Sequence, residues 1–375
     1  MSGGGVNDPF SVAGNIEQLA PYQAGKPVEE LERELGITRA IKLASNENPL
    51  GPSPRALEAA ARALEQAHLY PDAGHFAVKR ALAERLGVAP AEIVVGGGSN
   101  ELIHLLVRTF CRPGVDQVVT HRHAFISYAI AAQTHGCEVI ETPVSGPDLR
   151  CDVDALVAAF GPRTRIVFVA NPNNPTGASV ARAELERVIE AAPAGALVVI
   201  DEAYHEYAAA LDPAYASSQP YRRGRASLVT LRTFSKIYGL AGLRVGYGVC
   251  DARVAAQIDR VRRPFNVSGI AQAAAVAALD DAAHVERSCH AARAGMEALA
   301  AGLGAIGLRA LPSLGNFALV DLGGREAGPI YQALLARGVI ARPMGAWGLP
   351  RHLRISLGRD ADNARLLDAL RAAIA

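Results

Sequence analysis

The chain has 375 residues, is half apolar and one fifth charged, and carries a formal net charge of +1 at pH 7. This length allows a large core and two or three domains, while the near-neutral charge gives no field that favours nucleic acid or an anionic membrane. We expect no membrane span and no signal peptide, because the required apolar and basic runs are absent. Five dispersed cysteines without a CxxC pair are typical of a reduced, cytoplasmic protein.

Residues 1–45 are predicted to form an N-terminal arm that packs with the C-terminal part of the chain. A helix is expected at 28–35, where the sequence is VEELEREL. The next stretch, NENPLGPSP at 46–54, contains three prolines and a glycine, which indicates a rigid, irregular connector. Ala-rich composition then predicts helices at 55–66 and 77–86.

Short apolar strands alternate with helical stretches from residue 92 to about residue 250. The expected strands are 93–95, 117–119, 138–141, 165–170, 196–200, 228–231 and 245–250. This alternation predicts a mostly parallel sheet with helices on both faces, in a large α/β domain over residues 46–265. Ligands of such sheets bind at the carboxyl ends of the strands. The stretch 208–225 is predicted to be a surface loop.

The pattern of predicted helices and strands changes after residue 265. A long helix is expected at 284–303, followed by a few short strands and by helices at 329–337 and 361–374. Residues 266–375 are therefore predicted to form a smaller α+β domain. Because the arm is expected to join it, this small domain would be built from both ends of the chain.

Two polar segments that follow predicted strands could bind a ligand. GGGSN at 96–100 precedes a helix, so its backbone N–H groups could hold a phosphate, although a plain Gly-rich turn is about as common. NPNNPTG at 171–177 fixes asparagine side chains between prolines, and on its own it would more often be a rigid turn.

Two further segments offer charged groups at strand ends. DEAY at 201–204 begins with a carboxylate after five apolar residues, where it needs a cationic or N–H partner or else caps a helix. Lys236 follows the strand at 228–231, and a partly dry pocket would let its amine lose a proton and attack a carbonyl. For a single lysine, a solvated loop position is the more common situation.

The four segments taken together supply an amine, a buried carboxylate, Asn and Tyr donors and two phosphate-binding elements. This set fits an aromatic aldehyde that carries a phosphate and a pyridinium nitrogen, which is pyridoxal phosphate (PLP). The motifs NPNNPTG, DEAY, TFSK and GLRVGY, in this order, resemble the PLP-dependent fold type I aminotransferases of class I and II. NENPLGPSP, YPDAG, GGGSNE and HLRISLG resemble the histidinol-phosphate aminotransferases within that family.

The resemblance implies roles for the residues that match the cofactor site. Lys236 would bind PLP covalently and then shuttle a proton, and Asp201 would pair with the pyridinium nitrogen. Asn174 and Tyr204 would bond the ring hydroxyl, and Phe125 would stack on the ring. The phosphate ligands would be Ser99, Asn100, Thr233, Ser235 and Arg244, with Tyr70 reaching across a homodimer interface to the cofactor of the other subunit.

The resemblance also implies a substrate site and a reaction. Its residues would be Tyr22 from the arm, Asn46, Asn174, Arg342 and Arg354. The two arginines would bind the phosphate or carboxylate of the substrates, although a solvated loop position is a serious competitor for Arg342. Amino groups would pass from L-histidinol phosphate to 2-oxoglutarate, and no metal is expected.

Three other functions stay open at the level of the sequence. An aromatic amino-acid aminotransferase is the nearest alternative, because imidazole and phenyl rings differ little in size. A threonine-phosphate decarboxylase would use the same scaffold and a phosphate-bearing substrate. A non-catalytic PLP-fold domain is disfavoured, because Lys236, Asp201 and Tyr204 are all present.

Overall fold

The computed structural model describes residues 11–19 and 25–375. The helices in this part of the chain are α1 Gly14–Glu17, α2 Val28–Leu35, α3 Pro54–Leu64, α4 Phe76–Leu86, α5 Ser99–Phe110, α6 Ser127–Thr134, α7 Val153–Ala158, α8 Arg182–Ala191, α9 His205–Leu211, α10 Ala252–Val261, α11 Gly269–Leu279, α12 Ala282–Gly304, α13 Ala327–Leu335 and α14 Asp360–Ile374. The strands are β1 Ile41–Lys42, β2 Ile93–Gly96, β3 Gln117–His121, β4 Glu138–Thr142, β5 Val144–Ser145, β6 Arg150–Cys151, β7 Thr164–Ala170, β8 Leu197–Asp201, β9 Leu228–Thr233, β10 Gly246–Val249, β11 Arg309–Ala310, β12 Phe317–Asp321, β13 Val339–Ile340, β14 Arg342–Met344 and β15 Leu349–Ser356.

A seven-stranded sheet forms the centre of the molecule, in the order β2-β10-β9-β8-β7-β3-β4. The four pairings from β9 to β4 are parallel, and β10 runs antiparallel to both of its neighbours. The predicted fold class, α/β with a mostly parallel sheet, is confirmed. The carboxyl ends of β7, β8 and β9 therefore lie at one edge of the sheet, which is where ligands of such sheets bind.

Both faces of this sheet are buried, and strand β7 shows how. Ile166 and Phe168 pack into one hydrophobic cluster, while Val167 and Val169 pack into another. Successive side chains of a strand point to opposite faces, so the apolar run IVFVA at the end of β7 supplies both layers at once. This run lacks the polar alternation of a strand with one solvated face, in keeping with a sheet that is covered on both sides.

A second sheet has the order β11-β12-β15-β14, and all its pairings are antiparallel. Strand β1, from the N-terminal part of the chain, pairs in parallel with β13. Segment 44–46 also bonds the end of β15, with the Asn46 amide donating to Ser356 Oγ at 2.7 Å. The N-terminal segment thus belongs to the same packing unit as the second sheet, while the domain limits at 46 and 265 stay a prediction.

The segment 208–225 differs from the surface loop that its composition suggested. Its first residues form the end of helix α9, and a short 3₁₀ turn covers Gln219–Arg222. Ala216 and Ser218 are buried. Asn171 Nδ2 donates to the Ala216 carbonyl oxygen at 3.1 Å, and Ser218 Oγ lies 2.7 Å from Thr230 Oγ1 of β9. Helix α5 also begins earlier than expected, so that Ser99 and Asn100 lie in its first turn.

In residues 11–19 and 25–375, every helix is too short or too polar to cross a membrane. Over the same residues, no three or more His, Cys, Asp or Glu side chains come together in a way that could hold a metal ion. All five cysteines are free thiols.

Candidate active site

A cavity of about 150 Å³ lies at the carboxyl ends of the central strands. Its wall is formed by Gly98, Ser99, Asn100, Phe125, Tyr128, Ala170, Pro172, Asn174, Asp201, Ala203, Tyr204, Thr233, Ser235, Lys236 and Arg244. The polar segments that follow β2, β7, β8 and β9 thus meet at one place. This is the geometric outcome expected of parallel strands, whose carboxyl ends share an edge.

Lys236 projects its amine into this cavity from the turn after β9. Nζ donates a hydrogen bond to the carbonyl oxygen of Ser45 at 3.1 Å and lies 5.7 Å from the centre of the Tyr204 ring. Burial, assisted by the positive charge of Arg354, lowers the pKa of Lys236 from 10.5 to about 8. The neutral fraction of the amine at pH 7 is therefore about 300-fold higher than for an exposed lysine, which favours attack on a carbonyl.

Asp201 is the last residue of β8 and is buried at the floor of the cavity. Burial raises its pKa from 3.8 to about 6, against the opposing effect of two donors. The Tyr128 hydroxyl donates to Oδ2 at 2.9 Å, and the Ala203 N–H donates to Oδ1 at 3.2 Å. Both donors are neutral, so the carboxylate keeps a strong preference for a cation inside the cavity.

Tyr204 is held by Asn46, in the segment 44–46 that also bonds the end of β15. Asn46 Nδ2 donates to the Tyr204 hydroxyl at 2.8 Å, and Ser356 Oγ donates to Asn46 Oδ1 at 2.8 Å. Asn46 is fully buried and adopts a left-handed backbone conformation with φ of 55°. The structure thus gives the Asn46 side chain a contact with the site tyrosine, and a direct contact with substrate stays a prediction.

A phosphate-sized anion would meet the start of helix α5 at the other end of the cavity. Ser99 and Asn100 occupy its first turn, where backbone N–H groups have no partner within the helix. A side chain at Gly246 would collide with the backbone nitrogen of Ser99, and one at Gly98 would meet Arg244. Glycines at positions 98 and 246 are therefore needed for β10 and Arg244 to approach the start of α5 this closely.

Side chains that follow β9 and precede β10 complete this end of the cavity. Arg244 Nη1 donates to Ser235 Oγ at 3.3 Å and to the Ala241 carbonyl at 2.8 Å, while Nη2 points at the Gly97 carbonyl, 3.4 Å away. Thr233 Oγ1 accepts the Ser235 N–H at 3.1 Å. A guanidinium, two hydroxyls and a helix N-terminus together make a donor set suited to a phosphate.

The two arginines implied for substrate binding are register partners on neighbouring strands of the second sheet. Arg342 of β14 lies directly opposite Arg354 of β15, and both side chains are buried. Arg354 Nη1 donates to Asn174 Oδ1 at 2.6 Å, which brings it to the rim of the cavity. Arg342 lies over the Trp347 ring at 5.3 Å, so the expectation of a solvated loop arginine does not describe it.

The remaining expected site residues have different positions. Phe125 lines the cavity and meets Tyr128 edge-on. Tyr70 lies outside the cavity, is 85% exposed and stacks on Phe265 with ring centres 4.7 Å apart. Tyr22 lies outside the described residues.

Two features of the site were missed at the level of the sequence. Tyr128 bonds Asp201 from helix α6, 73 residues earlier in the chain, and only its spacing of three residues after Phe125 hinted at a shared helical face. Glu202, next to Asp201, forms a buried ion pair with Arg232, in which Nη2 and Oε2 are 2.9 Å apart. An arginine inside the apolar strand β9 was a signal for such a pair, because buried charges need partners.

The described residues fit the cofactor that the resemblance implies. Asn100 Oδ1 is buried and has no hydrogen-bond partner in the described part of the chain, so the cavity wall holds an unsatisfied polar group. An amine of lowered pKa, an under-compensated carboxylate and a phosphate-binding end occur in one cavity. That combination suits an aldehyde with a basic ring nitrogen and a phosphate.

This fold and site define a transaminase-like enzyme, and the chain belongs to the aminotransferase class I and II family, whose model matches residues 38–370. It is 48% identical over 356 residues to the histidinol-phosphate aminotransferase of Anaeromyxobacter sp., which covers 95% of this chain and 97% of that protein. It is also 48% identical to histidinol-phosphate aminotransferase 2 of Pseudomonas aeruginosa, with 95% of each chain covered.

A solved structure shows the same architecture. The histidinol-phosphate aminotransferase of Sinorhizobium meliloti, in complex with pyridoxal 5′-phosphate, superposes with a TM-score of 0.88 at 32% identity. The match covers 97% of this chain and 98% of that one. The likeness therefore spans both sheets and the segment that links them.

Proposed function

We propose that this protein is a PLP-dependent aminotransferase that moves the amino group of L-histidinol phosphate to 2-oxoglutarate, a step of histidine biosynthesis. The observation that carries the proposal is the meeting of Lys236, Asp201 and the N-terminus of α5 in one cavity. The relatives that are 48% identical over nearly the whole chain support the choice of substrate.

PLP, when bound, would supply an electrophilic aldehyde and a ring that accepts electron density from the substrate. The ring nitrogen would meet Asp201, whose buried carboxylate favours a protonated nitrogen. Ser99, Asn100, Thr233, Ser235 and Arg244 would hold the phosphate. Asn174 and Tyr204 would bond the ring hydroxyl, and Phe125 would cover one face of the ring.

Lys236 would serve first as the covalent anchor and then as the base. Its amine is partly neutral near pH 8, so Nζ can accept the proton from the α-carbon of the amino donor. The same Nζ can return that proton at a different carbon. Water would then release the keto product, and 2-oxoglutarate would take up the amino group by the reverse sequence of proton transfers at Nζ. The carbonyl oxygen of Ser45 accepts a hydrogen bond from the free amine and would orient Nζ whenever Lys236 is not covalently bound.

Arg342 and Arg354 would bind the anionic end of each substrate. The two residues lie directly opposite each other on neighbouring strands, so both buried, positively charged side chains leave the sheet on the same face. A phosphate from one substrate and a carboxylate from the other can both be bound there, because guanidinium groups recognise either anion in a bidentate manner.

The test is a set of half-reactions with purified protein loaded with PLP. L-histidinol phosphate, L-phenylalanine and O-phosphothreonine are each added without a keto acid, and the absorbance of the bound cofactor is followed. We expect rapid conversion to the amino form of the cofactor with histidinol phosphate, since it alone combines the imidazole ring with a phosphate.

Each other outcome points to a definite alternative. Faster conversion by phenylalanine would make the protein an aromatic amino-acid aminotransferase. Carbon dioxide released from phosphothreonine would indicate the decarboxylase. A protein that takes up no PLP would refute the proposal as a whole.

We also infer that the working form is a homodimer, in which Tyr70 contributes to the cofactor site of the partner subunit. The support is the joint exposure of Tyr70, of Leu69 next to it in the chain, and of Phe265, whose ring stacks on Tyr70. Large exposed apolar side chains in a cluster mark an interaction site.

Light scattering at micromolar protein should give twice the mass of one chain. A Tyr70→Phe variant that keeps its PLP affinity unchanged would argue against the contribution of the Tyr70 hydroxyl to the phosphate.

The expected cellular compartment is the cytoplasm. Five free cysteines, four of them buried, are in keeping with a reducing environment. Fractionation of the source cells, followed by immunodetection, would test this expectation.

A further inference from the structure

Tyr128 is a buried side chain of the cavity that the proposed chemistry has not yet used. It lies in the first turn of α6, and its ring stacks face to face on Phe168 of β7 with centres 4.6 Å apart. Phe125 meets the same ring edge-on at 5.8 Å. These two contacts hold the ring, so the hydroxyl has a fixed position 2.9 Å from Asp201 Oδ2.

Among residues 11–19 and 25–375, each of the two oxygens of Asp201 has one hydrogen-bond donor. Oδ2 accepts from the Tyr128 hydroxyl, and Oδ1 accepts from the Ala203 backbone N–H. One donor at each oxygen restricts rotation of the carboxylate about its last bond. A neutral hydroxyl stabilises the ionised form without cancelling its charge, whereas an arginine here would compete with any cation in the cavity.

We propose that Tyr128 is a positioning residue, which keeps the Asp201 carboxylate ionised and turned toward the ring nitrogen of the cofactor. This inference rests on the proposed function, because it assumes that Asp201 pairs with a protonated ring nitrogen. Tyr128 itself would act through Asp201 and not on the substrate.

The charges around Asp201 support the need for such a donor. Lys236 is the cation that faces it, while the neighbouring Glu202 is an anion that opposes its ionisation. Burial raises the pKa of Asp201 to about 6, with Tyr128 as the largest influence in the opposite direction. Loss of the hydroxyl would therefore raise the pKa of Asp201 further and leave more of it protonated near neutral pH.

The experiment measures PLP affinity of the apoenzyme for the wild type and for Tyr128→Phe between pH 5.5 and 8. The phenylalanine ring keeps the stacking on Phe168 and removes only the hydroxyl. We expect binding weaker by about tenfold or more, as for other hydrogen bonds to a charged group. The loss should grow as the pH falls from 8 to 6, because protonated Asp201 cannot attract the ring cation.

Tyr207→Phe is the matched control, since Tyr207 is also fully buried but makes no hydrogen bond with Asp201. Its PLP affinity should equal that of the wild type. Circular dichroism and a urea titration of each apoenzyme establish that the variants are folded. An equal loss of affinity in both variants would mean a general effect on the fold and would overturn the inference.

A double-mutant cycle with Asp201→Asn separates this role from simple packing. If Tyr128 acts through the carboxylate, Tyr128→Phe should have little further effect on PLP affinity in the Asp201→Asn background. A full effect in that background, or an unchanged affinity of the single variant, refutes the inference while wild-type binding still supports the proposed function. A wild type that binds no PLP removes the proposed function and this inference together.

Discussion

Asp201 and Glu202 are neighbours at the end of β8, and both are buried, yet they lie in opposite electrostatic surroundings. Asp201 faces the cavity, its hydrogen-bond donors in the described part of the chain are both neutral, and burial raises its pKa to about 6. Glu202 faces away and contacts Arg232, with Ser218 Oγ donating at 2.8 Å. Burial alone would raise the pKa of Glu202, but these partners lower it.

The comparison distinguishes Asp201, whose buried carboxylate could still bind a cation in the cavity, from Glu202, whose carboxylate is already paired with Arg232. A fully compensated buried ion pair fixes the packing of its neighbourhood, here the segment around Ser217 against β9. An under-compensated carboxylate is costly to the folded chain and is typical of a functional site. We refer below to the cavity side, with Asp201, Tyr128 and Lys236, and to the ion-pair side, with Glu202 and Arg232.

The largest effect is expected from Lys236→Ala on the cavity side. Turnover should fall by at least about ten-thousandfold, since we propose this residue as both the covalent anchor and the base. The urea midpoint of the apoenzyme should stay close to that of the wild type. Burial of the amine costs the folded state free energy, so its removal should not destabilise the protein. Steady-state assays with histidinol phosphate provide the measurement, and Lys79→Ala, which removes a lysine far from the cavity, is the control. Undiminished transamination by Lys236→Ala would overturn the central assignment.

The next effect is expected on the ion-pair side. Glu202→Gln should destabilise the protein by about 3–5 kcal/mol, because it leaves the Arg232 charge buried without its counter-ion. Molecules that remain folded should keep most of their activity, since Glu202 does not line the cavity.

Asp201→Asn is the matched variant for that prediction, with the same chemical change one residue away. It should lose most of its activity while the apoenzyme stays as stable as the wild type or becomes more stable. Urea titrations and rate assays on both variants give the comparison. The distinction between the two sides would fail if both variants lost stability equally.

The pH dependence of stability should have opposite signs for the two carboxylates. The folded pKa of Asp201 is raised from 3.8 to about 6, so its contribution lowers stability by up to about 3 kcal/mol as the pH rises through that window. The folded pKa of Glu202 is lowered from 4.5, so its contribution is present above pH 4.5 and is lost as the pH falls through the folded pKa.

Urea titrations of the apoenzymes between pH 4 and 7.5 can resolve these slopes. Relative to the wild type, Asp201→Asn should gain stability between pH 4 and 6 and then level off. The deficit of Glu202→Gln should be largest above pH 5 and shrink in acid. Parallel curves for the three proteins would contradict the assigned environments.

The smallest effect is expected from Ser217→Ala, which removes one hydroxyl from the ion-pair side. Ser217 Oγ donates to Glu202 Oε2 at 2.9 Å, and Arg232 also donates to it. Loss of these bonds should cost about 1 kcal/mol of stability, because the charged pair itself remains. A urea titration measures it, with Ser227→Ala, in the turn just before β9, as the control serine.

Much of the fold and part of the site could be predicted, because their signals are local in the sequence. Apolar runs that end in Asn, Asp or Lys gave the strands and the edge at which Asn174, Asp201 and Lys236 converge. The Gly-rich turn before a helix gave the position of Ser99 and Asn100 at the cavity, while phosphate binding there stays a prediction. These signals work because parallel strands bring their carboxyl ends together whatever the details of packing.

The contacts that could not be predicted join distant parts of the chain. The bond from Tyr128 to Asp201 depends on how α6 docks on the sheet. The alignment of Arg342 with Arg354 depends on the register of β14 and β15, which includes an irregularity after Pro343. A shift by one residue would turn one arginine to the other face of the sheet.

The pairing between segment 44–46 and the end of β15 has a consequence for the order of events at the ribosome. Asn46 and Ser356 are 310 residues apart, so their bond cannot form until nearly all of the chain between them has been made. At typical elongation rates of about 5–20 residues per second, the early segment waits about 15–60 seconds for its partner. The central sheet can fold during this interval, but Asn46, which donates to the Tyr204 hydroxyl, gains its own partner Ser356 only afterwards. A nascent chain arrested before residue 356 would have the residues of the cavity but would lack the bonds that fix Asn46.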